Sequence, residues 1–205
     1  MFNDKYNLTK SVISGLKTQT RRVIKAPIEF DSVKVEEDKD GNLKVIFNNK
    51  QSDESVVRAN KYKVGEEVAI AQSYSKICDY MLMRLESRNR KADNKAFDEF
   101  VNKYTYCSGW NNKMFVRADE MIYRIKITEV SVQHLQDISE EDCIKEGIQL
   151  DDERYFIPGT DLHFDKSIDA FKTLINKVSG AEAWNENPLV FVYEFEVVEP
   201  SEENK

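Results

Sequence analysis

The sequence predicts an α+β fold in which a small mixed β barrel carries packed helices and a helical insertion. Strand-like stretches recur along the chain, near residues 19–25, 67–72, 122–132 and 189–198. Stretches in which apolar residues recur at helical spacing lie between them, as expected for a barrel with helices packed on it.

Bulk composition limits the classes of protein to consider. A chain of 205 residues with 40% hydrophobic side chains can bury one sizeable core, so we expect a single domain over residues 1–199 and a polar tail at 200–205. The net charge of −7 argues against a protein coated in positive potential, although a local basic pocket is compatible with it. Without a long apolar run or a signal-peptide pattern, we expect a cytoplasmic protein with no membrane partner.

The first element is a short helix. Leu8, Val12 and Leu16 recur at helical spacing, which predicts an amphipathic helix over residues 8–14. Gly15 fits the left-handed position that follows a helix end.

The stretch 15–22 then brings an amine, hydroxyls and two guanidinium groups together. In a plain strand Lys17 and Thr20 would point to opposite faces, whereas a turn between them would let both face one pocket. Such a pocket suits an anionic or carbonyl-bearing ligand. The same residue types are also compatible with a solvated strand edge. The candidate ligand-binding residues of this stretch are Thr18, Arg21 and Arg22.

Two stretches have the character of excursions from the barrel. Residues 33–36 and 43–47 alternate around an Asp40-Gly41 turn signal, which predicts an exposed hairpin without a catalytic role. Residues 77–104 show helical spacing, which predicts a helical insertion or lid. Basic side chains cluster within it, and they either contact phosphates or form a solvated helix face: Arg84, Arg88, Arg90 and Lys91.

An aromatic and a basic residue precede the third strand. Trp110 could stack on a nucleobase, or it could be a tryptophan at the edge of the core. Lys113 follows it, and residues 122–130 alternate as a half-buried strand should.

In a later predicted helix, one acidic residue lies at the end where the helix dipole disfavours it. Ser139 is a good N-cap, and the acidic residues after it suit the positive end of a helix. Glu146 lies near the other end, where the helix dipole disfavours a carboxylate, and this invites a functional account. The alternative is an exposed glutamate with a small energetic cost. Residues 168–178 predict a further amphipathic helix, and residues 189–198 predict a central strand.

The cysteines and histidines do not suggest a metal site. Cys78, Cys107 and Cys143 form no Cys-x-x-Cys pair, and His134 and His163 lie far apart in the sequence. We expect neither a disulfide nor a metal site nor a cofactor, and we expect each cysteine to be a small buried hydrophobic residue.

Four blocks in order resemble the ASCH domain family, whose members are related to the RNA-binding PUA domains. The first has the pattern Gly-x-Lys-Thr-x-Thr-Arg, and the third is a helix that ends in Glu-Gly. The blocks are residues 15–22, 62–68, 135–148 and 187–196. The stretches between them that have the character of insertions are residues 26–60, 75–108 and 149–165.

The resemblance implies a PUA-like pseudobarrel that binds RNA or a modified nucleotide or nucleoside. Trp110 and Lys113 would border the ligand cleft. Some ASCH proteins are amidohydrolases that remove the acetyl group from N-acetylcytidine. Carried over by motif position, Lys17 would be the base, Thr20 the nucleophile and Glu146 the proton donor.

Three functions therefore remain open at this point: a binding module for RNA or a nucleoside, an amidohydrolase, and a protein-interaction module suggested by the acidic insertions. The first two require Lys17 and Glu146 to line a common cavity. The oligomeric state and the exact ligand do not follow from the sequence.

Overall fold

The computed structural model describes residues 2–39, 41–87 and 94–198. By contact density the chain divides into two compact units. Unit 1 contains Phe2 and residues 69–124, and unit 2 contains residues 3–68 and 125–198. The predicted tail at 200–205 and the basic positions Arg88, Arg90 and Lys91 lie outside the described residues.

The described residues form a mixed α+β fold, as predicted. The α-helices are α1 (Leu8–Ile13), α2 (Tyr74–Ser87), α3 (Asn94–Tyr104), α4 (Glu140–Lys145), α5 (Ser167–Ser179) and α6 (Ala183–Glu186). The strands are β1 (Gln19–Val23), β2 (Ser32–Glu37), β3 (Leu43–Asn49), β4 (Glu54–Ala59), β5 (Glu67–Ala69), β6 (Arg124–His134), β7 (Gln149–Asp151), β8 (Arg154–Phe156), β9 (His163–Phe164) and β10 (Leu189–Val198).

The main sheet has the strand order β1-β10-β6-β5, and it curls into an antiparallel half-barrel. Strand β10 lies inside this sheet, as its long apolar run predicts. In the β1–β10 ladder Gln19 pairs with Glu194, and Thr20 pairs with Tyr193. The four predicted strands therefore belong to one sheet, which closes only half of a barrel.

Two smaller sheets belong to unit 2. The predicted hairpin is present as β2 and β3, and a third strand, β4, continues it in the order β2-β3-β4. The second sheet has the order β7-β8-β9 and lies within residues 149–165. Neither β4 nor the second sheet was predicted. Residues beyond Phe47 were interpreted as an exposed excursion, and strands β7, β8 and β9 are too short, at three, three and two residues, to show the alternation of a strand.

Local sequence signals account for two helix ends in unit 2. Gly15 follows α1 with a positive φ of 73°, which an L side chain adopts only with strain. Ser139 caps α4, since its hydroxyl accepts a hydrogen bond from the Asp142 N–H at 3.0 Å. Both caps agree with the sequence prediction.

Unit 1 is built around an aromatic core. Tyr74, Ile77, Tyr104 and Met121 are buried together, and Trp110 packs against them. The rings of Tyr74 and Tyr104 stack with their centroids 4.0 Å apart. The predicted helical insertion is therefore two helices, α2 and α3, which contribute three of these buried side chains.

Across the described ranges, no helix is long and apolar enough to cross a membrane. The same part of the chain contains no group of three or more His, Cys, Asp or Glu side chains suited to hold a metal ion.

The three thiols differ in exposure, and we expect them to differ in reactivity. Cys78 and Cys143 are buried, but Cys107 is exposed after α3, so the prediction that it is buried was wrong. Burial raises the pKa of Cys143 to about 12 and also raises the pKa of Cys78. At pH 8 a thiol of that pKa holds roughly a thousandfold less thiolate than an ordinary cysteine.

We therefore expect a disulfide reagent to modify one thiol rapidly in the folded protein and all three after unfolding in denaturant. Cys107→Ser should remove the rapid phase. Two rapid thiols in the folded protein would contradict the burial of Cys78 and Cys143.

Candidate functional site

The first motif presents alternate side chains to the interior of unit 2. Lys17, Gln19 and Arg21 are all buried, whereas Thr18 and Thr20 are half-buried and Arg22 is exposed. Side chains alternate across a strand, so Gln19 and Arg21 share one face of β1. Two acids of α4 meet this face, namely Asp142 and Glu146. We call Lys17, Gln19, Arg21, Asp142 and Glu146 the charge cluster.

Lys17 and Glu146 make the central contact of the charge cluster. The Lys17 ammonium donates to Glu146 Oε2 at 2.6 Å, to the Glu146 carbonyl at 2.7 Å and to the Gln19 carbonyl at 2.6 Å. Since an ammonium has three N–H groups, these contacts use its full donor capacity. Lys17 and Glu146 are only 2% and 5% exposed. They therefore meet in the interior, and the expectation that they line a common open cavity is wrong.

Gly147 makes room for this contact. A Cβ atom at Gly147 would lie 3.4 Å from Lys17 Cδ, and its φ of 103° is unfavourable for an L side chain. The Glu-Gly pair at the end of α4 thus lets the Lys17 stem pass directly beside the backbone that holds Glu146.

Arg21 joins both acids of α4. Its guanidinium donates to Asp142 Oδ2 at 2.8 Å and to Glu146 Oε1 at 3.2 Å, and it also donates to the Gln19 side-chain oxygen. With its amide oxygen turned towards Arg21, Gln133 accepts two further hydrogen bonds, at 3.2 and 2.7 Å. Every buried charge of the cluster therefore has an opposite charge in contact with it.

The charge cluster reaches solvent through Asp142. The Asp142 side chain is 22% exposed, compared with 7% for that of Glu146. Beyond it, Lys145 donates to Glu194 at 3.1 Å, and Gln19 donates to the same oxygen at 2.9 Å. Asp142 is thus the charged group of the cluster most open to a polar molecule.

Burial lowers the pKa of Lys17 below its usual value of 10.5, because the charged form loses its hydration. The Glu146 carboxylate opposes this shift, and the positive charges of Arg22 and Arg21 add to it. Removal from water dominates, so the amine gives up its proton more readily than an exposed lysine does.

The motif's hydroxyls do not join the charge cluster. Because β1 is a continuous strand, Thr20 lies on the face opposite to Gln19 and Arg21. No turn separates Lys17 from Thr20 in the way that a shared pocket would require. Arg22 shares the face of Thr20, and Thr18 uses its backbone N–H to bond the Lys145 carbonyl at 2.9 Å.

Trp110 and Lys113 belong to unit 1, whereas the charge cluster belongs to unit 2. Trp110 is half-buried and packs against the aromatic core of unit 1. The Lys113 ammonium lies 3.3 Å from the Phe2 carbonyl and donates to it.

Unit 2 also contains a cavity of about 270 Å³ between α1 and the turn after β8. None of the charge cluster lines it. The lining residues are Asn7, Lys10, Ser11, Ser14, Leu16, Gln149, Phe156, Pro158 and Gly159.

Sequence reasoning missed Gln19 and assigned Asp142 to helix capping alone. A signal for both residues was present. Polar residues at alternate positions, Lys17, Gln19 and Arg21, predict one polar strand face. Asp142 and Glu146 are four residues apart and therefore share a helix face.

Chemically, the charge cluster offers two acceptor carboxylates, one guanidinium and one amine of lowered pKa. Such groups can bind a ligand that carries both hydrogen-bond donors and acceptors, and a neutral lysine can accept a proton.

No protein-family model matches the chain, and comparison with curated proteins and with solved structures gives no match either.

Proposed function

We propose that unit 2 binds a nucleoside or nucleotide, free or within single-stranded RNA, through the charge cluster. The observation that carries the proposal is the partial exposure of Asp142, whose side chain is 22% exposed and whose carboxylate accepts a hydrogen bond from Arg21 at 2.8 Å. Arg21 also contacts Glu146, so a ligand at Asp142 would be coupled to the buried Lys17–Glu146 pair, the two positions at which the resemblance to ASCH proteins implies a site.

The chemistry of the charge cluster suits a nucleobase edge. A carboxylate accepts hydrogen bonds from an exocyclic amine such as that of cytosine, while a guanidinium or ammonium donates to base carbonyl and ring nitrogen atoms. Two cations and two anions are also costly to keep inside a protein, and their retention at one place is typical of functional sites.

We expect the base to contact the charge cluster from the Asp142 side, where the cluster reaches solvent. Asp142 now accepts hydrogen bonds from the Gln19 amide and the Arg21 guanidinium, and the base would replace the bond between Asp142 and Gln19 by bonds of its own to these two side chains. Lys145 lies beside Asp142, and its side chain is 44% exposed, so it would contribute salt-dependent attraction for a phosphate. Arg22 lies on the opposite face of β1.

Calorimetric titration with the four ribonucleosides, their monophosphates and a short single-stranded RNA tests the proposal. Asp142→Asn should raise the dissociation constant of the best ligand by about 10- to 100-fold, the range for a lost charged hydrogen bond. Glu140→Gln is the matched control, since Glu140 is an exposed acid of the same helix. The absence of binding by the unaltered protein, or equal effects of both variants, would contradict the proposal.

Hydrolysis of the acetyl group of N-acetylcytidine is the second candidate function. It is favoured by the lowered pKa of Lys17, because a general base must be able to lose its proton near the working pH. In the reactive form a proton has passed from the Lys17 ammonium to the Glu146 carboxylate. The neutral amine would take a proton from the attacking water as its oxygen bonds the acetyl carbon, and Glu146 would deliver its proton to the leaving nitrogen as the C–N bond breaks. This gives acetic acid, which ionises to acetate, and cytidine, and it restores the ammonium–carboxylate pair.

Chromatography after incubation with N-acetylcytidine separates the two candidates. Turnover by the unaltered protein that disappears in Glu146→Gln, a variant that still accepts a hydrogen bond from Lys17, would establish the hydrolase. Binding without product would leave the binding function alone. Thr20→Ala gives the nucleophile: loss of turnover assigns it to Thr20, and retention assigns it to water, as the position of Thr20 on the opposite strand face favours.

A further inference from the structure

Strand β2 forms an open edge of the β2-β3-β4 sheet. All six of its residues are exposed, and within the described part of the chain no strand pairs with its outer side. An open edge presents unpaired backbone N–H and C=O groups that can pair with another strand. Proteins commonly shorten, bend or cover such edges.

The edge carries an apolar strip on one face. Val33 pairs with Phe47 and Val35 pairs with Val45, so the two valines lie on the face whose central residues are buried. Phe30 packs edge-on against Phe47 at a centroid distance of 5.1 Å. Phe30, Val33 and Val35 are nevertheless 43%, 37% and 45% exposed. The core of this sheet therefore continues outwards to an uncovered edge.

The opposite face of β2 carries one charge of each sign. The Lys34 ammonium lies 2.6 Å from Glu36 Oε1, and the two side chains are 68% and 43% exposed. They flank Val35. An antiparallel copy of this strand that is centred on Val35 would place Lys34 opposite Glu36 of the copy, and Glu36 opposite its Lys34. The strand is therefore complementary in charge to itself.

We propose that β2 is a docking edge for a second copy of this chain. The two copies are related by a two-fold axis through Val35, and their three-stranded sheets join into one continuous antiparallel sheet. Val33, Val35 and Glu37 of both copies then lie on a single face, where the two Val35 side chains face each other and each Val33 faces Glu37 of the other copy. Two Lys34–Glu36 pairs form between the copies on the other face. The two-fold symmetry makes the Lys34–Glu36 contact occur twice, which an unrelated peptide would not provide.

Charge exchange tests the register. Lys34→Glu puts glutamates opposite each other twice in the homodimer, and Glu36→Lys does the same with lysines. By sedimentation velocity we expect the unaltered chain to form a dimer at micromolar concentrations. Each single variant should weaken this dimer by about tenfold or more.

An equimolar mixture of the two single variants provides the decisive measurement. Their heterodimer restores opposite charges at both pairs, so we expect the mixture to dimerise as strongly as the unaltered chain, and the double variant Lys34→Glu/Glu36→Lys to do so as well. Glu54→Lys alters a charge on β4, the other edge strand of the sheet, and should leave the dimer unchanged. A monomeric unaltered chain, no recovery in the mixture, or a dimer lost only in Glu54→Lys would overturn the proposal.

Discussion

Replacement of Glu146 by alanine is expected to destabilise unit 2 by about 3–5 kcal/mol, the range measured when one partner of a buried ion pair is removed. The Lys17 ammonium would keep only two carbonyl acceptors in an interior where it is 2% exposed. Arg21 would also lose one of its two carboxylates. The free energy of unfolding therefore falls by more than a single hydrogen bond is worth, because Lys17 loses its carboxylate partner and Arg21 keeps only Asp142.

Removing both charges should cost much less than removing one. Lys17→Met/Glu146→Leu replaces the pair with apolar side chains of similar length, and such replacements are often close to neutral. We expect the double variant to recover most of the stability that Glu146→Ala loses, with a coupling of about 2–3 kcal/mol between the two positions. Glu146→Gln should be intermediate, because its amide oxygen still accepts a hydrogen bond.

Tryptophan fluorescence can follow unit 2 alone. The chain has two tryptophans, Trp110 in unit 1 and Trp184 in unit 2, so a Trp110→Phe background leaves one reporter in the right unit. Lys145→Met is the control, since its side chain is 44% exposed and exposed ion pairs contribute about 1 kcal/mol or less. Equal losses in the free energy of unfolding for Lys145→Met and Glu146→Ala would show that the buried ion pair contributes no more than an exposed one.

This stability effect also governs how the binding function can be tested. Asp142 and Glu140 are suitable positions because each lies towards solvent on α4. With Glu146→Ala, in contrast, weaker binding could result from unfolding of unit 2 as well as from a lost ligand contact. For the same reason Glu146→Gln is the better variant in any turnover experiment. Catalytic or binding loss has meaning only where the charge cluster remains folded.

The sequence predicted elements best where burial alternates or recurs with a clear period. Strand β10, helix α5 and the N-cap at Ser139 appear where the sequence analysis placed them. The hairpin between β7 and β8 could not be predicted in this way. Its two turn residues, Asp152 and Glu153, have positive φ values of 41° and 68°. Such a turn is normally signalled by Asn-Gly or Asp-Gly. Asp152 fits the first position, but Glu153 stands where the signal has glycine, and both residues are exposed.

The charge cluster likewise contains residues that the sequence analysis predicted and residues that it missed. Lys17 and Glu146 were singled out, one by its motif and the other by its unfavourable position on a helix. Gln19 was missed because a glutamine on a strand carries no charge signal of its own. Asp142 was assigned to capping because it lies three residues after the N-cap, Ser139. In the structure only its backbone N–H takes part in the cap, by donating to the Ser139 hydroxyl, while its carboxylate accepts a hydrogen bond from Arg21. The local position was visible in the sequence, and the distant partner was not.

Tyr74→Ala is expected to destabilise unit 1 by about 3–5 kcal/mol, the usual loss for a large aromatic side chain removed from a core. Tyr74 is 2% exposed and stacks on Tyr104 at 4.0 Å and 24°. Its ring also meets the edge of Phe100 at 5.8 Å. The truncation would remove both aromatic contacts at once and leave a cavity. Unit 1 has few other buried rings to fill that space.

Gly109 shows how closely the ring is packed. A Cβ atom there would lie 2.7 Å from Tyr74 Cε2 and 2.8 Å from a Val116 methyl group. The backbone therefore approaches the ring as near as contact allows, and removal of the ring would leave a gap beside Gly109 as well as beside Tyr104. Contacts on several sides favour the upper part of the expected range, since the cost of a cavity grows with the volume that relaxation leaves empty.

Tyr74→Phe separates the ring from its hydroxyl. The Tyr74 hydroxyl accepts a hydrogen bond from the Arg117 backbone N–H at 3.0 Å, and its loss should cost only about 1 kcal/mol because Arg117 is exposed and its N–H can bond water. Hydrogen exchange of the α2 and α3 amides measures both variants within unit 1. Tyr106→Ala is the control, as its side chain is 99% exposed. If Tyr74→Phe were as damaging as Tyr74→Ala, the hydroxyl and not the stacked ring would hold unit 1 together.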